Sequence, residues 1–269
     1  MKKNIIISAL LILFGIGCSV CAGEIKFVQV SDVHYSNESE YPKKVLEAAV
    51  KDINKLDNVS FVIFTGDNIN DPNPEYVGEF TKIANKLNVP YYIVIGNHDV
   101  FKSNGLSKER YFELVKENNF FFKYKTPNYV FKKDEFVFIV VDGAKEVIPG
   151  TTGYFKKNTL DWLEKQLTKY SKNPVIICQH FPLLEPKPSK SHNTYKAEEY
   201  LELLKKHSNV IALLSGHYHM NSEKMQDGIY HINSPSLLAL PNQYKVIDIV
   251  TTKGFSPMIY TQLRELDVK

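Results

Sequence analysis

Short apolar runs, rich in β-branched and aromatic residues, recur along the chain and predict β-strands that are buried on both faces. The clearest runs are residues 61–65, 91–95, 136–141, 175–178 and 210–214. Residues 25–30 predict a further strand, but Lys26 and Gln29 interrupt its apolar pattern, so we expect it to lie nearer to a sheet edge. Cys178 closes one of the runs and is therefore expected to be an inert thiol in the core.

Amphipathic stretches lie between these strands and predict helices. They span residues 43–56, 75–87, 108–117, 159–170 and 197–207. Asn158 and Thr159 offer an N-cap for the fourth helix. Strands that alternate with helices indicate a layered α/β domain with crossover connections.

The alternation of strands and helices ends at Gly228. Residues 229–232, 244–250 and 258–262 predict strands that follow one another without an intervening helix. This tail suggests a second sheet that is stacked on the first. The expected fold is therefore α/β, with two stacked mixed β-sheets flanked by helices in one compact domain.

The N-terminal residues differ from the rest of the chain. Lys2 and Lys3 precede an uncharged stretch over residues 4–23, with an aliphatic centre and small residues toward its end. This pattern predicts a signal peptide at residues 1–22, cleaved before Gly23, and a secreted or periplasmic domain at residues 23–269. An uncleaved membrane anchor and lipid attachment at Cys18 are the alternatives.

Composition and net charge limit the kinds of molecule that the protein is expected to bind. The chain has 269 residues, of which 43% are hydrophobic, with a net charge of +3. This nearly neutral balance predicts no nucleic-acid groove, and any membrane contact is expected only through the leader. Without the leader, Cys178 is the single cysteine in the sequence, so an internal disulfide is excluded.

Polar side chains directly follow five of the predicted strands. The segments are Ser31-Asp32-Val33-His34, Gly66-Asp67-Asn68, Gly96-Asn97-His98-Asp99, Gln179-His180 and Ser215-Gly216-His217-Tyr218-His219. Because the carboxyl ends of strands in open α/β sheets form one edge where ligands bind, we expect these segments to converge.

The donors in these segments are carboxylate oxygens, an amide oxygen and imidazole nitrogens. Such donors suit Mn, Fe, Zn, Ni or Co rather than a soft copper or iron–sulfur site. Asp32 and His34 are two residues apart, as are His217 and His219, so on an extended segment each pair would lie on one side. The donors are too many for one tetrahedral centre and suit two ions about 3.5–4 Å apart.

The order Asp-x-His, Gly-Asp, Gly-Asn-His-Asp, His and Gly-His-x-His resembles the calcineurin-like metallophosphoesterase superfamily, in particular its cyclic-nucleotide phosphodiesterase branch. The resemblance extends from residue 25 to about residue 220. It implies a dinuclear-metal hydrolase of phosphate esters, foremost a phosphodiesterase, that acts on a small phosphorylated substrate with a metal-bridging hydroxide as nucleophile. His34 and Asn70 replace the glycine and tyrosine of purple acid phosphatases, so a tyrosine-ligated ferric centre is not expected.

The resemblance also implies a role for each residue of the motifs. One divalent ion would be bound by Asp32, His34, Asp67 and His219, and the other by Asp67, Asn97, His180 and His217, with Asp67 as the bridge. His98 would contact the phosphate and assist the leaving oxygen, and Asp99 would orient His98.

Other readings remain open at this point. The same motifs serve secreted phosphomonoesterases and nucleotidases, and a non-catalytic metal-binding module would keep the same ligands. His192 is expected to be a solvated loop residue, with the pocket rim as its alternative, and His231 is expected on a strand surface. Asn68 either contacts phosphate or completes its turn. Substrate choice is expected to depend on the loops at residues 71–76, 100–106, 144–155 and 183–194.

Overall fold

The computed structural model describes residues 22–252 and 254–268, and within them the chain folds into strands and helices in alternation. The strands are β1 (Ala22–Val30), β2 (Val62–Thr65), β3 (Tyr91–Val94), β4 (Tyr129–Lys133), β5 (Phe136–Val140), β6 (Val175–Cys178), β7 (Val210–Ser215), β8 (Ser222–Gln226), β9 (Ile229–Asn233), β10 (Gln243–Thr252) and β11 (Met258–Glu265). The helices are α1 (Glu40–Ile53), α2 (Pro74–Ala84), α3 (Lys108–Asn118), α4 (Lys157–Lys169) and α5 (Ala197–Lys205), with a 3₁₀ turn at Lys102–Asn104.

The strands form two mixed sheets. One sheet has the order β11-β10-β1-β2-β3, in which β1, β2 and β3 are parallel. The other has the order β4-β5-β6-β7-β9-β8, in which the four inner strands are parallel and the outer two are antiparallel to their neighbours. Since parallel strands need crossover connections, helices lie between most of them along the chain.

Aromatic side chains join the two sheets in the core. The ring of Phe138 on β5 lies 5.4 Å from the ring of Phe27 on β1 and 4.9 Å from the ring of Phe61. All three side chains are completely buried. These edge-to-face contacts are the geometry that aromatic pairs prefer, and they confirm the expected stack of two sheets.

The position of β1 corrects the expectation of an edge strand. This strand lies in the middle of its sheet, between β10 and β2. Its polar side chains have partners there, because Lys26 lies 3.6 Å from Asp248 and Gln29 donates hydrogen bonds to Thr65 and to the carbonyl of Ser215. A buried polar side chain is tolerated in a central strand when its donor groups find acceptors, as the amide nitrogen of Gln29 does.

Several predicted boundaries also change. The C-terminal strands do not make a sheet of their own, because β9 belongs to the six-stranded sheet and β10 and β11 to the five-stranded one. The strands β4 and β8 were not predicted. Helix α4 begins two residues earlier than expected, with Lys156 as its N-cap and no side-chain cap from Asn158 or Thr159. Cys178 is completely buried, as predicted.

The N-terminal residues 1–21 lie outside the described residues, so the predicted signal peptide and the lipid site at Cys18 stay predictions. In the part of the chain that the structure describes, no helix has the length and apolarity needed to cross a bilayer.

His231 on β9 is buried, which corrects the expectation of a surface position. Its side chain is 6% exposed, and neither ring nitrogen has a hydrogen-bond partner. Burial lowers the pKa of His231 from an ordinary value near 6.5 to about 4, because the charged imidazolium is poorly solvated there.

This burial predicts a pH-dependent contribution to stability. Because the pKa of His231 is lower in the folded chain, the contribution is present above pH 6.5 and is lost as the pH falls toward 4. Relative to a His231→Phe variant, the wild type should lose about 2–3 kcal/mol of unfolding free energy between pH 7 and pH 4.5. Urea unfolding at both pH values measures this difference. Tyr230→Phe on the same strand is the control, and an equal loss in wild type and His231→Phe would contradict the prediction.

Candidate metal centre

The predicted ligands converge where the parallel strands of both sheets end. Gln29 ties the sheets together at this point, because its side chain on β1 bonds the carbonyl of Ser215 at the end of β7 at 2.9 Å. The backbone N–H of His217 donates to the carboxylate of Asp32 at 3.1 Å and so links the loop after β7 to the loop after β1. Residues that are almost 200 positions apart in sequence thus share one edge.

Five of the seven predicted ligands lie on left-handed backbone rather than on extended segments. Positive φ angles occur at Asp32 (51°), His34 (45°), Asp67 (50°), His217 (72°) and His219 (55°). Such angles are uncommon for residues other than glycine and are frequent at functional sites. The expectation that each Asp-x-His or His-x-His pair faces one side therefore fails for His217 and His219, which join different groups of donors.

The first group of donors consists of Asp32, His34 and His219. The Nε2 atoms of His34 and His219 lie 3.1 Å apart, and Nε2 of His219 lies 3.3 Å from Oδ1 of Asp32. Atoms that bind one ion at about 2.1 Å are separated by about 3 Å, so these spacings fit a common cation.

The second group consists of Asp67, His180 and His217. Nε2 of His180 lies 3.2 Å from Oδ2 of Asp67. Nδ1 of His180 lies 2.8 Å from the carbonyl oxygen of Thr65, which fixes the ring with Nδ1–H as the donor and leaves Nε2 for a metal. Asn97 lines the cavity beside this group, and its buried Oδ1 has no hydrogen-bond partner.

The two groups overlap through Asp67. A third set of donors, composed of His34, Asp67 and His98, spans both groups. Oδ2 of Asp67 lies 3.9 Å from Nε2 of His34 as well as 3.2 Å from Nε2 of His180. This is the position that a bridging carboxylate occupies between two ions about 3.5–4 Å apart.

Unpartnered buried atoms test whether this arrangement suits metal ions. Nε2 of His217 and Oδ1 of Asn97 are buried and have no hydrogen-bond partner, and Nε2 of His180 faces the carboxylate of Asp67. A buried polar atom without a partner costs about 1–3 kcal/mol, so two at one place call for a ligand. A divalent cation satisfies both, and the oxygen and nitrogen donors match the metals expected from the sequence.

The charge states of Asp67 and His217 agree with this fit. Burial by itself would raise the pKa of Asp67, but the neighbouring His180 holds it well below its usual range, so Asp67 is ionised. Burial lowers the pKa of His217 to about 3, which keeps its imidazole neutral, as a metal ligand must be.

His98 and Asp99 lie beside the metal ligands but have different surroundings. His98 lines the cavity, and its Nδ1 lies 2.7 Å from the carbonyl oxygen of Asn70. The carboxylate of Asp99 instead accepts hydrogen bonds from the backbone N–H groups of Asn68, Ile69 and Gly96. The predicted orientation of His98 by Asp99 is therefore wrong, because Asn70 holds the ring and Asp99 holds the turns.

The contacts of Asn68 decide between the two roles that the sequence allows for it. Its side chain is completely buried and donates to the carbonyl of Val94 at 2.9 Å and to the carboxylate of Asp99 at 3.0 Å. Asn68 thus completes the turn after β2 rather than contacting a phosphate.

A cavity of about 380 Å³ opens above the donors. Its wall includes Tyr218 from the last motif and four residues outside the motifs, which are Thr151, Lys187, Ser189 and His192. His192 therefore lies at the pocket rim, which corrects the expectation of a solvated loop residue, and its ring lies 5.1 Å from the ring of His217. The loops that contain Thr151, Lys187 and Ser189 were expected to determine substrate choice, but no periodicity distinguishes these residues within them.

Gly96 permits the close approach of two turns, which leads to a prediction. A Cβ atom at residue 96 would lie 2.1 Å from Oδ1 and 2.4 Å from the backbone nitrogen of Asp67. Gly96→Ala should therefore displace Asp67, lower the metal content per chain and destabilise the fold by about 1–3 kcal/mol. Metal analysis and thermal unfolding measure both effects. Gly78→Ala is the control, because its Cβ would meet only Asn118, at 3.8 Å, and unchanged metal content in Gly96→Ala would refute the prediction.

The fold and the donors together define a dinuclear metalloprotein of the α/β class. Residues 25–221 match the family model of the calcineurin-like phosphoesterases. A probable glycerophosphodiester phosphodiesterase of Arcobacter nitrofigilis is 31% identical over 221 residues, which cover 78% of this chain and 77% of that protein. A 3′,5′-cyclic-nucleotide phosphodiesterase of Nostoc sp. is 23% identical over 221 residues, which cover 79% of this chain and 78% of that protein.

The fold also resembles a solved structure. A dimetal phosphatase from Danio rerio aligns with a TM-score of 0.66 at 18% identity, over 88% of this chain and 98% of that one. At this identity the similarity shows the fold alone.

The chain belongs to the calcineurin-like phosphoesterase family. It is a hydrolase of phosphoric esters that uses divalent metal ions, and the resemblance inferred from the motifs is confirmed.

Proposed function

We propose that this chain is a phosphodiesterase that hydrolyses small phosphate diesters. The observation that carries the proposal is the position of His98, which lies in the same cavity as the donors with Nδ1 fixed by the carbonyl of Asn70. Nε2 is then the ring nitrogen that remains for the substrate. The similarity to relatives that are named as diesterases favours a diester over a monoester.

The chain's own residues divide the work between binding and proton transfer. The two ions would be held by Asp32, His34, Asp67 and His219, and by Asp67, Asn97, His180 and His217. Once bound, two divalent ions neutralise phosphate charge and lower the pKa of a bound water toward neutrality. Asp67 and the imidazoles fix the positions of the donors, and Asp99 holds the turns that carry Asp67 and Asn97.

His98 would supply the proton that the leaving oxygen needs. The bond from Nδ1–H to Asn70 sets the orientation of the ring, and Nε2–H would donate to the oxygen of the departing group. An imidazole suits this step because its ordinary pKa is close to neutral pH.

Parallel assays of a diester and a monoester test the proposal. Residues 23–269, reconstituted with Mn²⁺, would be assayed on bis(4-nitrophenyl) phosphate and 4-nitrophenyl phosphate, with a chelator-treated sample as the control. Faster turnover of the diester that depends on metal is expected. Preference for the monoester would instead indicate a phosphomonoesterase or nucleotidase. Bound metal without turnover of either ester would indicate a non-catalytic module.

We also propose that residues 1–22 are a cleaved leader and that the mature protein is secreted or periplasmic. The support is the basic start and apolar centre of the sequence. The cut before Gly23 would remove one residue of the nine in β1. Mass spectrometry of the mature N-terminus tests this, and a start at Met1 or a lipid on Cys18 would contradict it.

A further inference from the structure

One side of the active-site cavity carries a single cation. Among the residues that line the cavity, the charged side chains other than the histidines are Asp67, which is one of the metal donors, and Lys187 on the wall. Lys187 is exposed to solvent and forms no hydrogen bond or ion pair with the residues that the structure describes. Its ammonium group is thus available to a ligand in the cavity.

The backbone around Lys187 is stiff. Pro186 and Pro188 flank it, and each proline fixes its own φ angle near −65°. Pro188 also restricts Lys187 to extended conformations, because the proline ring clashes with a helical preceding residue. The ammonium group therefore projects from a segment with little backbone freedom.

Hydrogen bonds fix the N-terminal side of this segment. The carbonyl of Glu185 accepts from Nζ of Lys224 on β8 at 2.5 Å. The carboxylate of Glu185 accepts from the backbone N–H of Ser189 at 3.1 Å, so it closes the loop around Lys187. Glu185 is not among the residues that line the cavity, although its carboxylate lies behind the wall, next to Tyr218.

The C-terminal side is fixed in the same way. The hydroxyl of Thr151 donates to the carbonyl of Ser191 at 2.5 Å, and the N–H of Gly153 donates to the carbonyl of Asn193 at 3.0 Å. The N–H of His192 donates to the hydroxyl of Ser189 at 3.1 Å. The wall is thus preorganised, and a preorganised group loses little entropy when it binds a ligand.

We infer that Lys187 determines substrate specificity by selecting for an anionic group, such as a carboxylate or a second phosphate, beyond the scissile phosphate. The inference rests on the proposed function, in which the floor of the cavity holds the reacting diester. A cationic group on the substrate, such as the trimethylammonium of a choline ester, would meet Lys187, and Asp67 is the only carboxylate among the described residues that line the cavity. The ammonium group of Lys187 attracts an anionic group of the substrate and repels a cationic one, so this lysine favours anionic substrates over cationic ones.

Three diesters of 4-nitrophenol with similar size and different charge test this inference. Their second alcohol bears a carboxylate (2-carboxyethyl), no charge (ethyl) or a cation (choline). The wild type should have the highest kcat/KM for the carboxylate ester and the lowest for the choline ester. Lys187→Met should lower the ratio of the two values about fivefold, and Lys187→Glu by about 25-fold, because an exposed ion pair contributes about 1 kcal/mol.

The matched control is Lys190→Glu. Lys190 is an exposed lysine of the same loop that does not line the cavity. The same change of net charge at residue 190 should leave the ratio of the carboxylate ester to the choline ester unchanged. An equal effect of both variants would mean that overall charge, and not the position of Lys187, determines the preference, and the inference would be overturned.

Binding of two phosphonates separates this inference from the proposed function. Calorimetry on the metal-loaded full chain would compare 3-phosphonopropionate, which carries a carboxylate, with 2-aminoethylphosphonate, which carries a cation. Tighter binding of the first that is lost in Lys187→Glu supports the inference even if no diester is hydrolysed, a result that would refute the diesterase proposal alone. Turnover of the ethyl ester with no dependence on Lys187 in either assay would leave the diesterase intact and overturn the inference.

Discussion

Replacement of Asp67 by asparagine should reduce the rate of ester hydrolysis by about 10³-fold or more and lower the amount of bound metal. Asp67 is 2% exposed, and its Oδ2 faces Nε2 of both His34 and His180. Asparagine keeps the size of the side chain but removes the charge that a bridging ligand supplies to both ions. Loss of a single preorganised electrostatic contact already costs about 10²–10³ in rate, and this substitution disturbs both metal positions.

Metal analysis, kcat and circular dichroism of the Asp67→Asn variant measure this prediction. Oδ1 of Asp67 also accepts the backbone N–H of His98 at 2.9 Å, and the amide of asparagine retains an acceptor for that bond. The variant should therefore remain folded. Asp71→Asn is the matched control, because Asp71 is exposed and belongs to none of the donor groups. A folded Asp67→Asn variant that keeps two ions and wild-type kcat would refute the bridging role.

Replacement of His98 by glutamine should leave the metal content unchanged and lower kcat by about 10²–10⁴-fold for esters with a poor leaving group. The physical reason is that leaving groups differ in their need for a proton. An alkoxide leaving group must be protonated as it departs, whereas 4-nitrophenolate is stable without a proton. The loss should therefore be much smaller for a 4-nitrophenyl ester than for the release of an alkyl alcohol.

The comparison of the two leaving groups is the measurement that assigns this role. Equal losses for both esters would show that His98 contacts the phosphate without protonating the leaving oxygen. Loss of metal in His98→Gln would instead make it a ligand, which the donor set of His34, Asp67 and His98 would then explain. His207→Gln, at the end of α5, is the control for the removal of a histidine outside the cavity.

The sequence by itself determined the order and type of most elements around the site. The apolar runs are local patterns, and a run of buried residues predicts a strand wherever that strand is later placed. For this reason β2, β3, β5, β6 and β7 fall within two residues of their predicted ends. The candidate metal donors could be proposed for the same reason, since each motif directly follows a strand and its residue types are visible in the sequence.

Relations between distant residues were decided by the tertiary structure alone. From the sequence, Gln29 is expected at a sheet edge, but in the fold Thr65 and Ser215 accept hydrogen bonds from its amide nitrogen inside the protein. His231 is expected at the surface, but β7 and β8 enclose its strand. Likewise, the left-handed backbone at His217 and His219 sends their rings to different donor groups. Local periodicity carries no information about these partners.

The position of Lys187 in its loop is likewise not predictable from the sequence. The sequence indicates that the loop at residues 183–194 is a determinant of substrate, but one lysine in a polar loop resembles any other. Lys187 lines the cavity and Lys190 does not, because hydrogen bonds from Lys224, Thr151 and Gly153 fix the path of the loop. Local motifs thus identify the residue types that carry the chemistry of the site. The positions of these residues depend on hydrogen bonds between segments that are far apart in sequence, and no local pattern encodes such bonds.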